Sequence, residues 1–137
     1  MTAPPRTVLF ACVQNAGRSQ IAAALFNQLA DPAKARAISA GTRPAARVHP
    51  ETVQVMREEG VDLSAATPQM LTPDLARGVG VLVTMGCGDA CPVVPGTPVE
   101  DWPLEDPQGQ PLSEVRRIKE QIRTRVEDLI ARLGVAR

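Results

Sequence analysis

The sequence is poor in aromatic residues and carries no net charge. Its 137 residues include two phenylalanines, one tryptophan and no tyrosine. The hydrophobic core must therefore be built mainly from Val, Leu, Ile and Ala. Lys and Arg total 15 and Asp and Glu total 15, so no overall electric field draws the protein to nucleic acid or to an anionic membrane.

The chain also lacks a long apolar segment and an even set of cysteines. No run approaches the roughly 20 apolar residues of a membrane-spanning helix, and we predict a cytoplasmic protein without membrane contact. The three cysteines are Cys12, Cys87 and Cys91. In a reducing compartment such thiols serve catalysis or metal binding more often than disulfides. The length suits one domain, predicted over 1–137.

Apolar runs alternate with amphipathic segments along the chain. Strands are predicted at 7–12, 35–41, 79–85 and 97–102, and helices at 19–30, 49–60, 72–78 and 112–134. Strands that alternate with helices over short connections indicate a three-layer α/β fold, with a four-stranded parallel sheet and helices on both faces. The exception is the Pro- and Gly-rich stretch 86–111, a loop long enough to suggest function.

A C-x5-R motif lies between the first strand and the first helix. Parallel sheets bind ligands beyond the carboxyl ends of their strands, where Cys12 is expected. Successive N–H groups of such a loop, with the helix dipole, attract an anion and favour a thiolate. The candidate loop comprises Cys12, Val13, Gln14, Asn15, Ala16, Gly17, Arg18 and Ser19.

Each polar residue of this loop suits a role at an oxyanion site. Arg18 can bind two oxygens of a tetrahedral oxyanion, and Ser19 can donate a hydrogen bond to the sulfur of Cys12. Asn15 tolerates left-handed backbone, and Gly17 allows a tight curve. A cysteine that ends a buried strand is often only a small core residue. The strand before the loop, the helix after it and the Arg-Ser pair favour catalysis.

The sequence resembles a known family in four places. "CVQNAGRSQ" (12–20), "SAGT" (39–42), the strand "VLVTM" (81–85) and "DWPLEDP" (101–107) are similar to motifs of the low-molecular-weight protein tyrosine phosphatases and of the arsenate reductases that share their fold. The cysteines after the third strand and the "W…DP" segment favour the arsenate reductase branch.

The resemblance implies a route for electrons. Cys12 would attack arsenate, Cys87 would then attack Cys12 and release arsenite, and Cys91 would take over the disulfide. Thioredoxin, or a small thiol such as mycothiol with a glutaredoxin, would reduce that disulfide, and no cofactor would be bound. Asp106 would be the general acid, and phosphate or sulfate would act as analogues of arsenate. Ala23 replaces a glutamate that some relatives use to bind a monovalent cation, so no metal site is predicted.

Several alternatives stay open at this stage. Reduction of arsenate needs two electrons and so a partner thiol, whereas ester hydrolysis needs only the nucleophile and an acid, so a tyrosine phosphatase is the principal alternative. A non-catalytic anion-binding module would also use such a loop. A phosphotransfer domain with a loop cysteine is a further alternative, which Arg18 disfavours. Cys87 and Cys91 could bind zinc with His49, although C-x3-C with one distant His is a poor match. Asp101 and Glu105 compete with Asp106 for the role of acid.

Overall fold

A computed structural model describes residues 6–86 and 94–137 of the chain. Its strands are β1 (Arg6–Cys12), β2 (Ala35–Gly41), β3 (Val81–Thr84) and β4 (Val99–Asp101). Its helices are α1 (Arg18–Leu29), α2 (Pro50–Arg57), α3 (Pro73–Ala76) and α4 (Leu112–Leu133). Each of the four predicted strands and four predicted helices overlaps an observed element, with bounds that differ by a few residues.

The strands form one parallel sheet in the order β2-β1-β3-β4. Cys12 is paired with Gly41 of β2, and Ala11 with Thr84 of β3. The carboxyl ends of these strands therefore meet at one edge of the sheet, with the end of β1 at its centre. The predicted α/β architecture, typical of low-molecular-weight tyrosine phosphatase-like proteins, is confirmed.

Alternate residues of β1 enter two separate parts of the core. Val8, Phe10 and Cys12 pack with buried residues of α1, α2 and α4. Leu9 and Ala11 face the other side and pack with residues in and around α3. Because both faces are covered, the buried part of β1, residues 8–12, is apolar at every position, and this explains its lack of polar alternation.

The outer edge of β2 is closed by side chains. Asn27 of α1 accepts a hydrogen bond from the backbone N–H of Ala37 at 2.8 Å and donates one to its carbonyl at 3.0 Å. Gln69 donates its side-chain amide to the carbonyl of Ser39 at 2.9 Å. These contacts satisfy backbone groups that would otherwise be open to pairing with another chain.

Trp102 anchors the segment that follows β4. It is 1% exposed and packs against Phe10, with ring centroids 5.5 Å apart. Its indole N–H donates to Glu100 at 2.8 Å, and Arg132 of α4 donates to the same carboxylate. The Arg132 hydrogen bond, together with that from Trp102, holds the pKa of Glu100 below its ordinary value. Within the described residues, no helix is long and apolar enough to cross a membrane.

Candidate active site

The loop after β1 turns its carbonyl groups outward. Four of them accept backbone N–H groups from the segment 42–49: Cys12 O from Thr42 at 3.1 Å, Val13 O from Arg43 at 2.8 Å, Gln14 O from Ala45 at 2.9 Å and Ala16 O from His49 at 3.0 Å. The N–H groups of residues 13–17 have no hydrogen-bond acceptor among the described residues. With the N-terminus of α1, they form a cradle suited to an anion.

Cys12 lies at the base of this cradle, 2% exposed. Its Sγ is 2.9 Å from Ser19 Oγ, and Asn15 Nδ2 donates to the same hydroxyl oxygen at 2.7 Å. Ser19 contacts no other hydrogen-bond acceptor within the described residues. Its hydrogen therefore points to the sulfur of Cys12.

Asn15 is the centre of the polar contacts beneath the loop. It is fully buried and has a left-handed backbone, with φ 52°. Its Oδ1 accepts the backbone N–H of Gln69 at 3.0 Å, and Gln20 Nε2 donates to its Oδ1 at 3.3 Å and its backbone O at 3.1 Å. Sequence analysis predicts the left-handed backbone of Asn15 but does not identify these two glutamines.

Arg18 reaches from the start of α1 toward the loop after β4. It is 7% exposed, and its Nη1 donates to the carbonyl of Leu104 at 3.2 Å. Its Nη2 lies 3.8 Å from Asp106 Oδ2. A methyl group on Gly86, whose φ is 87°, would collide with Arg18 Nη1. The guanidinium is therefore held in place by groups from both sides of the cradle.

The loop that carries Asp106 is fixed at three points. Asp106 Oδ1 accepts the backbone N–H of Gln108 at 2.9 Å. Pro107 Cγ packs over Gly17, 3.1 Å from the position that a Cβ atom on Gly17 would occupy. The backbone N–H of Gly109 donates to Glu51 Oε1 of α2 at 3.2 Å. These contacts bring an acidic side chain to the loop of Cys12.

The two competing carboxylates have other partners. Asp101 Oδ1 accepts the hydroxyl of Thr84 at 2.7 Å, and Glu105 Oε1 pairs with Arg117 of α4 at 3.0 Å. Of these three carboxylates, Asp106 is the one paired with Arg18. Asp106 is thus the one of the three that lies beside Arg18 of the cradle, and it stays the predicted acid.

Cys87 and Cys91 lie in the stretch 87–93, outside the described residues. Their predicted redox roles and the zinc alternative therefore stay predictions. In the ranges that the structure describes, no group of three or more His, Cys, Asp or Glu side chains could hold a metal ion. His49 precedes α2 as its N-cap residue without a side-chain cap, and its Nδ1 is buried with no partner in those ranges.

Comparisons with known proteins agree with this geometry. The family described as "Low molecular weight phosphotyrosine protein phosphatase" matches residues 7–136. A Halobacterium salinarum protein named "Putative arsenate reductase" is 41% identical over 88% of this chain and 87% of its own length. The "Glutaredoxin arsenate reductase" of Synechocystis is 36% identical, over 94% of this chain and 99% of its own length.

A solved structure has the same fold over nearly the whole chain. The thioredoxin-dependent arsenate reductase Cg_ArsC1' of Corynebacterium glutamicum superimposes with a TM-score of 0.82 at 40% identity. The match covers 98% of this chain and 64% of the Corynebacterium chain. This chain thus spans about two thirds of the length of that protein.

Proposed function

The chain belongs to the low molecular weight phosphotyrosine protein phosphatase family, and within that family we propose that it is an arsenate reductase. The observation that carries the proposal is the contact of Cys12 Sγ with Ser19 Oγ at 2.9 Å. This contact lies under a cradle of N–H groups that have no acceptor in residues 6–86 and 94–137. That arrangement offers a nucleophilic sulfur and a binding place for a tetrahedral oxyanion at one point. The identity with relatives named arsenate reductase selects arsenate over a phosphate ester.

In the first step, the Cys12 thiolate attacks the arsenic of arsenate. The loop amides and Arg18 hold the oxygens, and their positive charge stabilises the negative charge that builds on them. Asp106 gives a proton to the hydroxyl oxygen that leaves arsenic, and this oxygen departs as water. The product is an adduct in which Cys12 is bonded to arsenic(V) through sulfur.

In the second step, two electrons pass to arsenic. The Cys87 thiolate attacks Cys12 Sγ, the sulfur–arsenic bonding pair stays on arsenic, and arsenite leaves. A Cys12–Cys87 disulfide forms in the same step. Cys91 then attacks Cys87, which frees Cys12 and leaves a Cys87–Cys91 disulfide.

An external dithiol or small thiol must then reduce that disulfide. The Corynebacterium relative is named thioredoxin-dependent and the Synechocystis relative is named for glutaredoxin. Both classes of reductant therefore remain candidates. We place the reaction in the cytoplasm, since the relay needs a compartment that keeps thiols reduced. We assign it to a single domain over 1–137.

Arsenate-dependent oxidation of NADPH tests the proposal. The protein is assayed with thioredoxin and thioredoxin reductase. In parallel it is assayed with glutathione or mycothiol, the matching glutaredoxin and the NADPH-dependent reductase of that thiol's disulfide. We expect turnover in one of these systems, and its loss in Cys12→Ser and Cys87→Ser. Turnover only with the small thiol, unchanged in Cys91→Ser, would remove Cys91 from the relay.

A phosphatase is the second candidate, because the family is named for that activity. Hydrolysis of p-nitrophenyl phosphate measures it directly and should survive Cys87→Ser, since hydrolysis needs no second thiol. Rapid ester hydrolysis without arsenate turnover in any thiol system would contradict the reductase proposal.

A further inference from the structure

The side-chain amide of Asn15 can adopt two orientations that fill the same space. In the observed one, Nδ2 donates to Ser19 Oγ at 2.7 Å, which leaves the Ser19 hydrogen for Cys12 Sγ. In the flipped one, Oδ1 would face Ser19 and accept that hydrogen. The sulfur would then lose its hydroxyl donor, so one amide orientation determines whether the nucleophile is assisted.

Two N–H donors oppose the flip. The backbone N–H of Gln69 donates to Asn15 Oδ1 at 3.0 Å, and Gln20 Nε2 approaches the same oxygen at 3.3 Å. A flipped amide would bring its own NH₂ group against both donors. Asn15 is fully buried and Gln20 is 7% exposed, so bulk water has little access to replace either contact.

Gln20 also holds the backbone of Asn15. The carbonyls of four other loop residues, Cys12, Val13, Gln14 and Ala16, accept backbone N–H groups of the segment 42–49. The carbonyl of Asn15 instead accepts Gln20 Nε2 at 3.1 Å. Because φ of Asn15 is 52°, a conformation unfavourable for a residue with a side chain, this contact stabilises the strained point of the loop.

We propose that Gln20 is a positioning residue for the nucleophile: its amide fixes the orientation of Asn15, which in turn directs the hydroxyl of Ser19 onto Cys12. The inference rests on the proposed function only in that Cys12 must react as a thiolate. It applies whether the oxyanion is arsenate or a phosphate ester. Gln20 acts through Asn15 and Ser19 and needs no contact with the substrate.

The test compares two glutamines of α1. Gln20→Met keeps the length of the side chain but removes its N–H donors. Gln28→Met is the matched control, because Gln28 also donates its side-chain amide to a backbone carbonyl, that of Glu59 at 2.9 Å, but from the exposed end of the helix. Both are made in full-length protein with Cys87→Ser and Cys91→Ser, so that Cys12 is the single thiol.

Alkylation of Cys12 by iodoacetamide is the readout. We expect Gln20→Met to slow it about five-fold near pH 6, the effect of one lost hydrogen bond. Near pH 10, where an unassisted thiol also ionises, the rate should match the parent. Gln20→Glu should be slower still near pH 6, because its carboxylate would repel Asn15 Oδ1 and accept from a flipped amide. Gln28→Met should match the parent at both pH values.

A purely structural role predicts a different pattern. Methionine packs in the same space, so Gln20→Met would then react at the parent rate at both pH values, and that result would overturn the proposal. The unmodified protein provides a check that requires no variant to fold. Hydrogen exchange measured by NMR should show the Gln20 side-chain amide strongly protected relative to that of Gln28, and equal exchange would also refute the proposal.

The two proposals can fail independently. If arsenate is not turned over with any thiol system but Gln20→Met still slows alkylation, the reductase assignment is wrong and the role of Gln20 stands. If arsenate is reduced and Gln20→Met leaves alkylation unchanged, the role proposed for Gln20 is wrong and the reductase assignment stands.

Discussion

Gly86 and Arg18, 68 positions apart in the chain, are in such close contact that even a single methyl group on Gly86 would strike Arg18 Nη1. The backbone at the end of β3 therefore limits where the guanidinium of the anion cradle can lie.

Gly86→Ala should weaken oxyanion binding at least ten-fold, because Arg18 must move to make room for the new side chain. Inhibition of p-nitrophenyl phosphate hydrolysis by inorganic phosphate measures the effect. Gly78→Ala is the matched control: its φ of 82° imposes a similar left-handed strain, and nothing lies within 4 Å of the added methyl. Equal phosphate affinity in both variants would show that Arg18 tolerates the displacement.

Ser19→Ala should slow the reaction of Cys12 near pH 7 by about ten-fold or more, since a hydrogen bond to a charged group contributes about 1.5–3 kcal/mol. The rate of iodoacetamide alkylation, in protein whose other two cysteines are replaced by serine, reports it. Thr124→Ala removes an exposed hydroxyl of α4 and should have no effect. An unchanged rate in Ser19→Ala would mean that the amide cradle alone stabilises the sulfur.

Glu51→Ala should lower kcat about three-fold with little change in KM, because it releases Gly109 and loosens the loop that carries Asp106. Arsenate turnover measures both constants. The loss should vanish when Glu51→Ala is made in an Asp106→Asn background, where no acid remains to be positioned. A similar loss in both backgrounds would assign Glu51 a role unrelated to Asp106.

Glu59 should stabilise the fold in a pH-dependent way. Its carboxylate accepts Lys119 Nζ at 2.5 Å and Arg123 Nη2 at 2.6 Å, and the Lys119 hydrogen bond, with that from Arg123, holds its pKa below the ordinary 4.5. A carboxyl whose pKa is lowered by folding stabilises the protein above its unfolded-state pKa. That contribution disappears as the pH falls through the folded-state pKa.

Glu59→Gln should therefore lower the free energy of unfolding near pH 7 by about 1–2 kcal/mol, because Lys119 keeps a weaker partner. The difference from the parent should shrink to nothing in acid. Urea denaturation at a series of pH values measures it, with Glu127→Gln, which changes an exposed carboxylate of α4, as the control. A difference that persists below the titration of Glu59 would point to packing instead of charge.

The sequence by itself determined the sheet, the loop and the identity of its central residues. The apolar run before Cys12, the amphipathic pattern after Arg18 and their short connection require a strand, an anion-binding turn and a helix, because backbone periodicity and loop length are local properties. The motifs shared with the family then allowed the fold of the rest of the chain to be predicted as well. The resemblance to the family implies Asp106 as the acid, with Asp101 and Glu105 as alternatives.

Only the tertiary structure decided how the loop is held. The N–H of Gln69 that orients Asn15, the backbone of Gly86 that confines Arg18 and the Glu51 carboxylate that holds Gly109 come from distant parts of the chain. Each contact depends on strand register and on how helices pack across the sheet, which no local pattern encodes. Gln20 is close to Asn15 in sequence, but the sequence does not show where its side chain points. Only the structure shows that its amide donates to Asn15 and so can orient the nucleophile.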